Sequence, residues 1–278
     1  MSGTVSLTGA AGFVGRHVLA ALAGKRLLRA ISRPGQRDSL PDGVTPVLTP
    51  AWFAEAEDWW ARALEGTDTL IHLAWITTPG EYLASPLNHD CLCGTLAMAR
   101  GAVRARVRRV IGIGTCFEYA MTGRPLAVTD PLDPKTPYAG AKAAASHALS
   151  GWFAGTDTAF AWCRLFHLHG AGEDARRLVP FLHARLAAGM PVEMTEGRQV
   201  RDFIDVAEAG RMIADVALGE MTGAVNICSG RPVTVRALAE QIADGYGRRD
   251  LLRFGARPEN LFDPPHVVGI PLQGSAPP

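Results

Sequence analysis

The chain has 278 residues, 47% of them hydrophobic and 20% charged, with a formal net charge of +1. This suits a globular chain of enzyme size, one large α/β domain or a domain with a smaller lobe. It removes any global electrostatic case for nucleic acid or an anionic membrane as a partner, and the apolar runs are broken by Arg, Gly or Pro short of a membrane span.

Met1 leads almost directly into a strand at 3–7, so no signal peptide is expected. Thr8-Gly9-Ala10-Ala11-Gly12-Phe13-Val14-Gly15 follows, then a helix predicted over 13–24 with Val14, Val18, Leu19 and Leu22 as its apolar face. The spaced glycines suit a tight turn, a close approach of backbone to a pyrophosphate, and close packing of helix on strand. The helix N-terminus offers free N–H groups to phosphates.

A second strand runs from Leu27 to Ile31. Its end meets the adenosine ribose in a doubly wound sheet, where an acidic residue would favour NAD. Here the stretch is Ile31-Ser32-Arg33-Pro34-Gly35-Gln36-Arg37, with no acid. Ser32 and Arg33, helped by Arg16 or Arg37, suit a 2′-phosphate, so NADP(H) is favoured and NAD(H) is the alternative. Arg33 could equally cover the adenine face. Val44 to Leu48 is a third strand, edge-like because Pro46 interrupts it. A helix is expected over Trp52 to Leu64 and a buried strand over Thr69 to Ala74, on which His72 is read as structural.

A loop over 77–86 precedes a helix from about Asn88 to Val107, whose basic end (Arg104, Arg106, Arg108, Arg109) reads as solvated. The strand Val110–Gly114 ends in Thr115. A turn-rich segment leads to a helix opened by Tyr138 and running to about Phe153, then a strand from Ala159 to Phe166. Beyond it the alternation loosens. Helices are expected over Leu178–Ala188, Ala207–Leu218 and Val235–Tyr246, with strands over Val192–Thr195, Phe203–Val206 and Ala224–Ile227, and an irregular tail from Pro264. The five cysteines, Cys91, Cys93, Cys116, Cys163 and Cys228, are scattered. They predict reduced thiols in the cytoplasm and no metal site.

Tyr138 and Lys142 are four residues apart and share one helix face. A Lys beside a phenol favours the phenolate and lowers its pKa. Such a tyrosine exchanges a proton with a carbinol oxygen. Thr115, at the carboxyl end of a central strand, reaches the same oxygen, with hydride passing at the nicotinamide on the other side of that carbon.

At these residues the chain resembles the extended short-chain dehydrogenases/reductases, the NAD-dependent epimerase/dehydratase family. The likeness runs from Val5 to about Pro265. It rests on the glycine stretch, His72-Leu73-Ala74, Gly94-Thr95, the run Gly114 to Tyr119, Tyr138 with Lys142, Arg164-Leu165-Phe166, Arg201-Asp202-Phe203-Ile204, Val225-Asn226-Ile227 and Ala256-Arg257-Pro258. The resemblance implies a Rossmann-type doubly wound parallel sheet over 1–166, with 201–218 returning to it. A small C-terminal α+β substrate lobe would occupy most of 167–278.

It also implies a catalytic triad of Thr115, Tyr138 and Lys142. Cofactor contacts would come from Gly9, Ala11, Gly12, Phe13, Val14, Gly15, Ser32, Arg33, Leu73, Ala74, Tyr138, Lys142 and Phe166. Trp75, Thr77, Cys116, Phe117, His167, Arg201 and Arg257 would contact a nucleotide diphosphate sugar. The alternative for the two arginines is surface or interdomain salt bridges, since Arg201 adjoins Asp202. The chain departs from the family's pattern at Cys91 and His167, where Asn is usual, and at Thr49-Pro50, where an acid often stands.

Sugar 4,6-dehydratases of the family carry an Asp-Glu pair directly after the triad hydroxyl. Here Cys116 and Phe117 stand there, and Glu118 comes one position late with its side chain expected to point away. The look is that of 4-ketoreductases acting on a nucleotide-linked deoxyhexose. A 4-epimerase, a less ordinary dehydratase and a cofactor-binding sensor without turnover are the alternatives. The Ala-rich face Ala141, Ala144, Ala145 and Ala148 suits close helix packing in a homodimer, or packing within one chain.

Overall fold

The computed structural model describes residues 3–259 and 263–271. The large sheet begins with β1 (Thr4–Thr8), α1 (Phe13–Leu22), β2 (Leu27–Ser32), β3 (Val44–Leu48), α2 (Glu57–Ala63) and β4 (Thr69–His72). It continues through α3 (Leu87–Arg104), β5 (Arg109–Thr115), α4 (Pro137–Ala154) and β6 (Ala159–Leu165). Then come β7 (His167–His169), α5 (Leu178–Ala187), β8 (Val192–Glu193), β9 (Val200–Asp205) and α6 (Val206–Leu218). The described elements close with β10 (Gly223–Ile227), β11 (Pro232–Thr234), α7 (Val235–Tyr246), β12 (Leu252–Arg253) and β13 (His266–Val267).

Seven parallel strands pair in the order β10-β6-β5-β4-β1-β2-β3. This is the Rossmann-type α/β architecture, and the order reverses between β1 and β4, where such sheets open a crevice at their carboxyl ends. Both faces are covered, so the central strands carry apolar residues on both sides, and every residue of β5 is buried. On one face Val18, Leu19 and Leu22 of α1 pack with Ala209, Ile213 and Ala214 of α6. On the other, Trp60 of α2, Met98 and Ala102 of α3 and Ala145 and Leu149 of α4 form a second cluster. The strand interrupted by Pro46 is indeed the sheet's edge.

A smaller assembly follows, with β9 pairing β7, β11 and β13. Beside it α5 and α7 pack Leu182, Leu186, Ala239 and Ala243 into their own core. No helix of the described residues is long and apolar enough to cross a membrane.

Several expected boundaries differ. The helix read over Trp52–Leu64 is only Glu57–Ala63. Ala51 to Ala54 instead closes a turn, with Ala51 N donating to Thr49 Oγ1. The strand expected to reach Ala74 ends at His72, because Ala74 N leaves the ladder for Thr8 Oγ1. The strand expected to end at Phe166 ends at Leu165, and His167 opens a new one against Phe203. Of the tail expected to be irregular from Pro264, residues 264–271 are tied into the fold, and the rest lies outside the described residues. His266 and Val267 pair with β9, and Val267 and Val268 are buried.

Candidate active site

Two glycines make the turn after β1. Gly9 has a φ of +67°, a region that side chains with a Cβ rarely adopt. A Cβ on Gly15 would stand 2.2 Å from the Gly9 carbonyl oxygen, so only glycine lets α1 approach the turn this closely. Gly12 caps α1 without a side-chain bond among the described residues, which leaves the first-turn N–H groups, at Phe13 and Val14, for a ligand. Ala11 and Phe13 are half-buried beside them, and Gly12 is exposed. At the end of β2 the Ser32 hydroxyl is buried and has no hydrogen-bond partner among the described residues. Arg33 is exposed, with its guanidinium 5.4 Å from the centroid of the Trp52 ring. A glycine cradle, free N–H groups and an orphaned hydroxyl at the ribose end fit a nicotinamide dinucleotide.

Behind the cradle a relay joins three elements. Thr95 Oγ1 donates to the Cys91 carbonyl at 2.7 Å, so it accepts from His72 Nε2 at 2.9 Å. Ala74 N donates to Thr8 Oγ1 at 3.0 Å, and Thr8 in turn serves His72 Nδ1 at 2.9 Å. The network thus assigns the proton to Nε2. Burial, with help from the Lys142 charge, lowers the His72 pKa to about 3. His72 is structural, as its sequence context suggested. The relay holds Leu73 and Ala74 against the glycine turn: a Cβ on Gly9 would stand 2.9 Å from Ala74 N.

Thr115, Tyr138 and Lys142 come together where β5 meets α4. Thr136 caps that helix by accepting from Ala139 N, and Pro137 occupies its first turn. Tyr138 is 9% exposed. Burial above all, and then Tyr82, Glu118 and Cys116, push the phenol well above its ordinary range, while the Thr115 side chain opposes them weakly. This corrects the expectation of a lysine-lowered phenol. Lys142 Nζ donates to the Ile113 carbonyl at 2.6 Å, and burial lowers its own pKa to about 7. Burial thus favours the protonated form of the Tyr138 phenol.

Glu118 was expected to point away from the cleft, and it is fully buried beneath it. Its Oε1 accepts from Thr115 N at 2.8 Å, and its Oε2 accepts from Arg164 Nε at 2.8 Å. Trp162 Nε1 donates to the same carboxylate. With Thr115 Oγ1 accepting from Phe117 N, this is a capping box that fixes the Thr115 hydroxyl. Cys116 is 2% exposed, packs with Tyr119, Phe166 and Val267, and has its thiol pushed up to about 12 by burial. Phe166 is buried in that same cluster.

The residues expected to contact a substrate separate into two groups. His167 stacks edge-on between Phe117 and Phe203, and its buried Nδ1 has no partner among the described residues. Burial and the charges of Arg201 and Arg177 lower the His167 pKa to about 3. Arg201 is buried and pairs with Asp263 at 2.6 Å, not with Asp202. Asp202 accepts instead from Ser229 and Gly230 N–H groups. Arg257 lies apart, exposed, over the Phe181 ring. Thr77 is exposed on the segment after β4, and Trp75 is buried against Lys142.

Sequence reasoning missed Tyr82 and Arg177. The Tyr82 ring meets Tyr138 edge-on at 4.8 Å, and Arg177 stands 5.3 Å over Tyr82. Both lie in turns with no periodic signal.

Residues 5–228 match the family described as the NAD dependent epimerase/dehydratase family. A dTDP-6-deoxy-L-talose 4-dehydrogenase (NAD(+)) of Aggregatibacter actinomycetemcomitans is 21% identical over 95% of this chain and 98% of its own. A GDP-6-deoxy-D-mannose reductase of Pseudomonas aeruginosa is 27% identical over 88% of this chain and 80% of its own. A UDP-N-acetylglucosamine 4-epimerase structure from Methanobrevibacter ruminantium M1 superposes with a TM-score of 0.87 at 22% identity, covering 98% of this chain and 91% of that one.

Proposed function

The chain belongs to the NAD dependent epimerase/dehydratase family, and from that premise we propose that it reduces a keto group, at C4, of a nucleotide diphosphate-linked deoxyhexose. The observation that carries this reading is the grouping of Thr115, Tyr138 and Lys142 with no free carboxylate beside it among the described residues. Elimination of water needs an acid and a base at the positions after Thr115. Those positions hold a thiol pushed up to about 12 and a phenylalanine, and Glu118 is committed to Thr115, Trp162 and Arg164.

The chemistry that a bound nicotinamide dinucleotide supplies here is hydride donation. Tyr138, held protonated, gives its proton to the carbonyl oxygen as negative charge develops there. Thr115 orients that oxygen through its hydroxyl, whose position the capping box sets. Lys142 carries the positive charge that stabilises the phenolate left behind. Arg201 and His167 bound the side of the cleft toward the small assembly and suit the diphosphate.

NADP(H) is favoured by Ser32 and Arg33. The name of the Aggregatibacter relative carries NAD(+), which makes NADH the parallel arm of the test. A homodimer is supported by α4: Ala141 and Ala145 are buried within the chain, but Ala144, Ala148 and Trp152 are exposed on its outer face.

The test is reduced-nicotinamide absorbance during incubation with a nucleotide-linked 4-keto-6-deoxyhexose, with NADPH and NADH in parallel. Stoichiometric loss is expected, faster with NADPH. Tyr138→Phe should lower kcat by roughly a hundred- to ten-thousand-fold while still binding the dinucleotide. Full turnover by that variant would overturn the mechanism. No loss of absorbance with any such sugar would favour the epimerase, which uses the same triad without net redox change.

A further inference from the structure

Trp75 fits a partner other than substrate. Lys142 Nζ stands 3.8 Å from the centroid of the Trp75 ring, against 5.9 Å for Trp162. Trp75 Nε1 donates to Asn88 Oδ1 at 2.8 Å, and Asn88 is fully buried at the start of α3. Asn88 Nδ2 donates to the Tyr82 carbonyl at 2.7 Å and to the Ser85 carbonyl at 2.9 Å. Tyr82 then meets the Tyr138 ring, and the Leu83 carbonyl accepts from Tyr138 N at 3.1 Å. The contacts close a circuit that leaves α4 at Lys142 and returns to it at Tyr138.

We propose that Trp75 is a positioning residue, whose indole face holds the Lys142 ammonium and whose Nε1–H, through Asn88, locks the 82–85 turn onto Tyr138. The inference rests on the reading of Tyr138 and Lys142 as the reacting pair. Its physical basis is the state of the buried ammonium. One of its three protons goes to the Ile113 carbonyl. Glu118 acts from beneath β5 and Cys91 from α3, His72 faces it from β4, and the Tyr138 phenol lies one turn away on α4. None of these is a hydrogen-bonded counter-ion among the described residues. The negative face of an indole replaces part of the lost hydration, and such contacts strengthen where water is excluded. Leucine at 75 would fill space without that field.

The chain has only three lysines, Lys25, Lys135 and Lys142, so carbon-13 labelling at lysine gives three εCH2 signals, with Lys142 identified by its loss in Lys142→Met. The Lys142 midpoint should fall by about one pH unit in Trp75→Leu and by less in Trp75→Phe, which keeps a ring face. If Trp75→Leu does not fold, the chain grown with fluorinated tryptophan keeps the shape and weakens the ring's negative face, and the midpoint should fall there too. The alkaline limb of kcat should move to lower pH by the same amount in the folded variants, with KM for the sugar little changed.

An unmoved midpoint in both the leucine variant and the fluorinated protein would overturn the proposal. A rise in KM with kcat unchanged would overturn it as well, returning Trp75 to the substrate. A moved midpoint together with full turnover by Tyr138→Phe would support the Trp75–Lys142 contact and remove the reacting-pair reading on which its catalytic meaning rests.

Discussion

His72 carries two hydrogen bonds that only a neutral ring can complete, one given to Thr95 and one taken from Thr8. Its folded pKa of about 3 lies below the ordinary 6.5, and His167 is lowered in the same direction. Between these values the unfolded chain binds protons that the folded chain refuses, so stability falls as pH drops from about 6.5 toward 3. Urea unfolding across that window should show the loss, and His72→Gln should flatten its slope. An unchanged slope in the variant would assign the loss to His167 and the carboxylates. At this scale the sequence was readable where chemistry has a fixed spacing: Tyr138 and Lys142 on one helix face, Thr115 at a strand end, an acid missing after β2. Asn88, Glu118 and Tyr82 were not, because their partners depend on how turns fold back across tens of residues.

Elements show where periodicity carries information. The long strands and α1, α3, α4 and α6 were legible because each must cover a large sheet with a repeated apolar face. β7, β11 and β13 are two or three residues long and have no period to read. Their pairing is set by the strand between them, β9. The three-residue turn after Thr115 is equally short, yet it joins the core to the site through the Glu118 carboxylate. Glu118→Ala would leave the Arg164 guanidinium, whose side chain is 5% exposed, without its charge partner. Breaking a buried pair in this way costs about 3–5 kcal/mol. Denaturant titration should show a loss of that size, and Glu118→Gln, which keeps an acceptor, a smaller one. A loss under 1 kcal/mol would mean that Tyr119 and the Val128 carbonyl satisfy Arg164 alone.

A parallel α/β sheet follows from the alternation of strands and helices, and that much is legible in the sequence alone. The division of the alanines on α4 was not, since Ala141 and Ala144 look alike in sequence and one is buried while the other is exposed. If α4 and α3 pair across a two-fold axis, Ala148→Glu places two like charges against each other and should convert the species seen by sedimentation from dimer to monomer. A wild-type chain that sediments as a monomer would remove the dimer from the reading.

The position of β10 has a consequence for the chain as it is made. The edge of β6 is completed by residues 223–227, which follow it by more than fifty positions and reach it only after the excursion through β7, β9 and α6. A nascent chain emerging from the ribosome thus carries an open, apolar strand edge for the time it takes to synthesise that excursion. An unpaired edge of this kind is a template for wrong partners, and distant parallel pairing is slow. The interval before residue 227 emerges is therefore the one in which the chain has most need of a chaperone, and chains stopped within it should aggregate where those stopped after it do not.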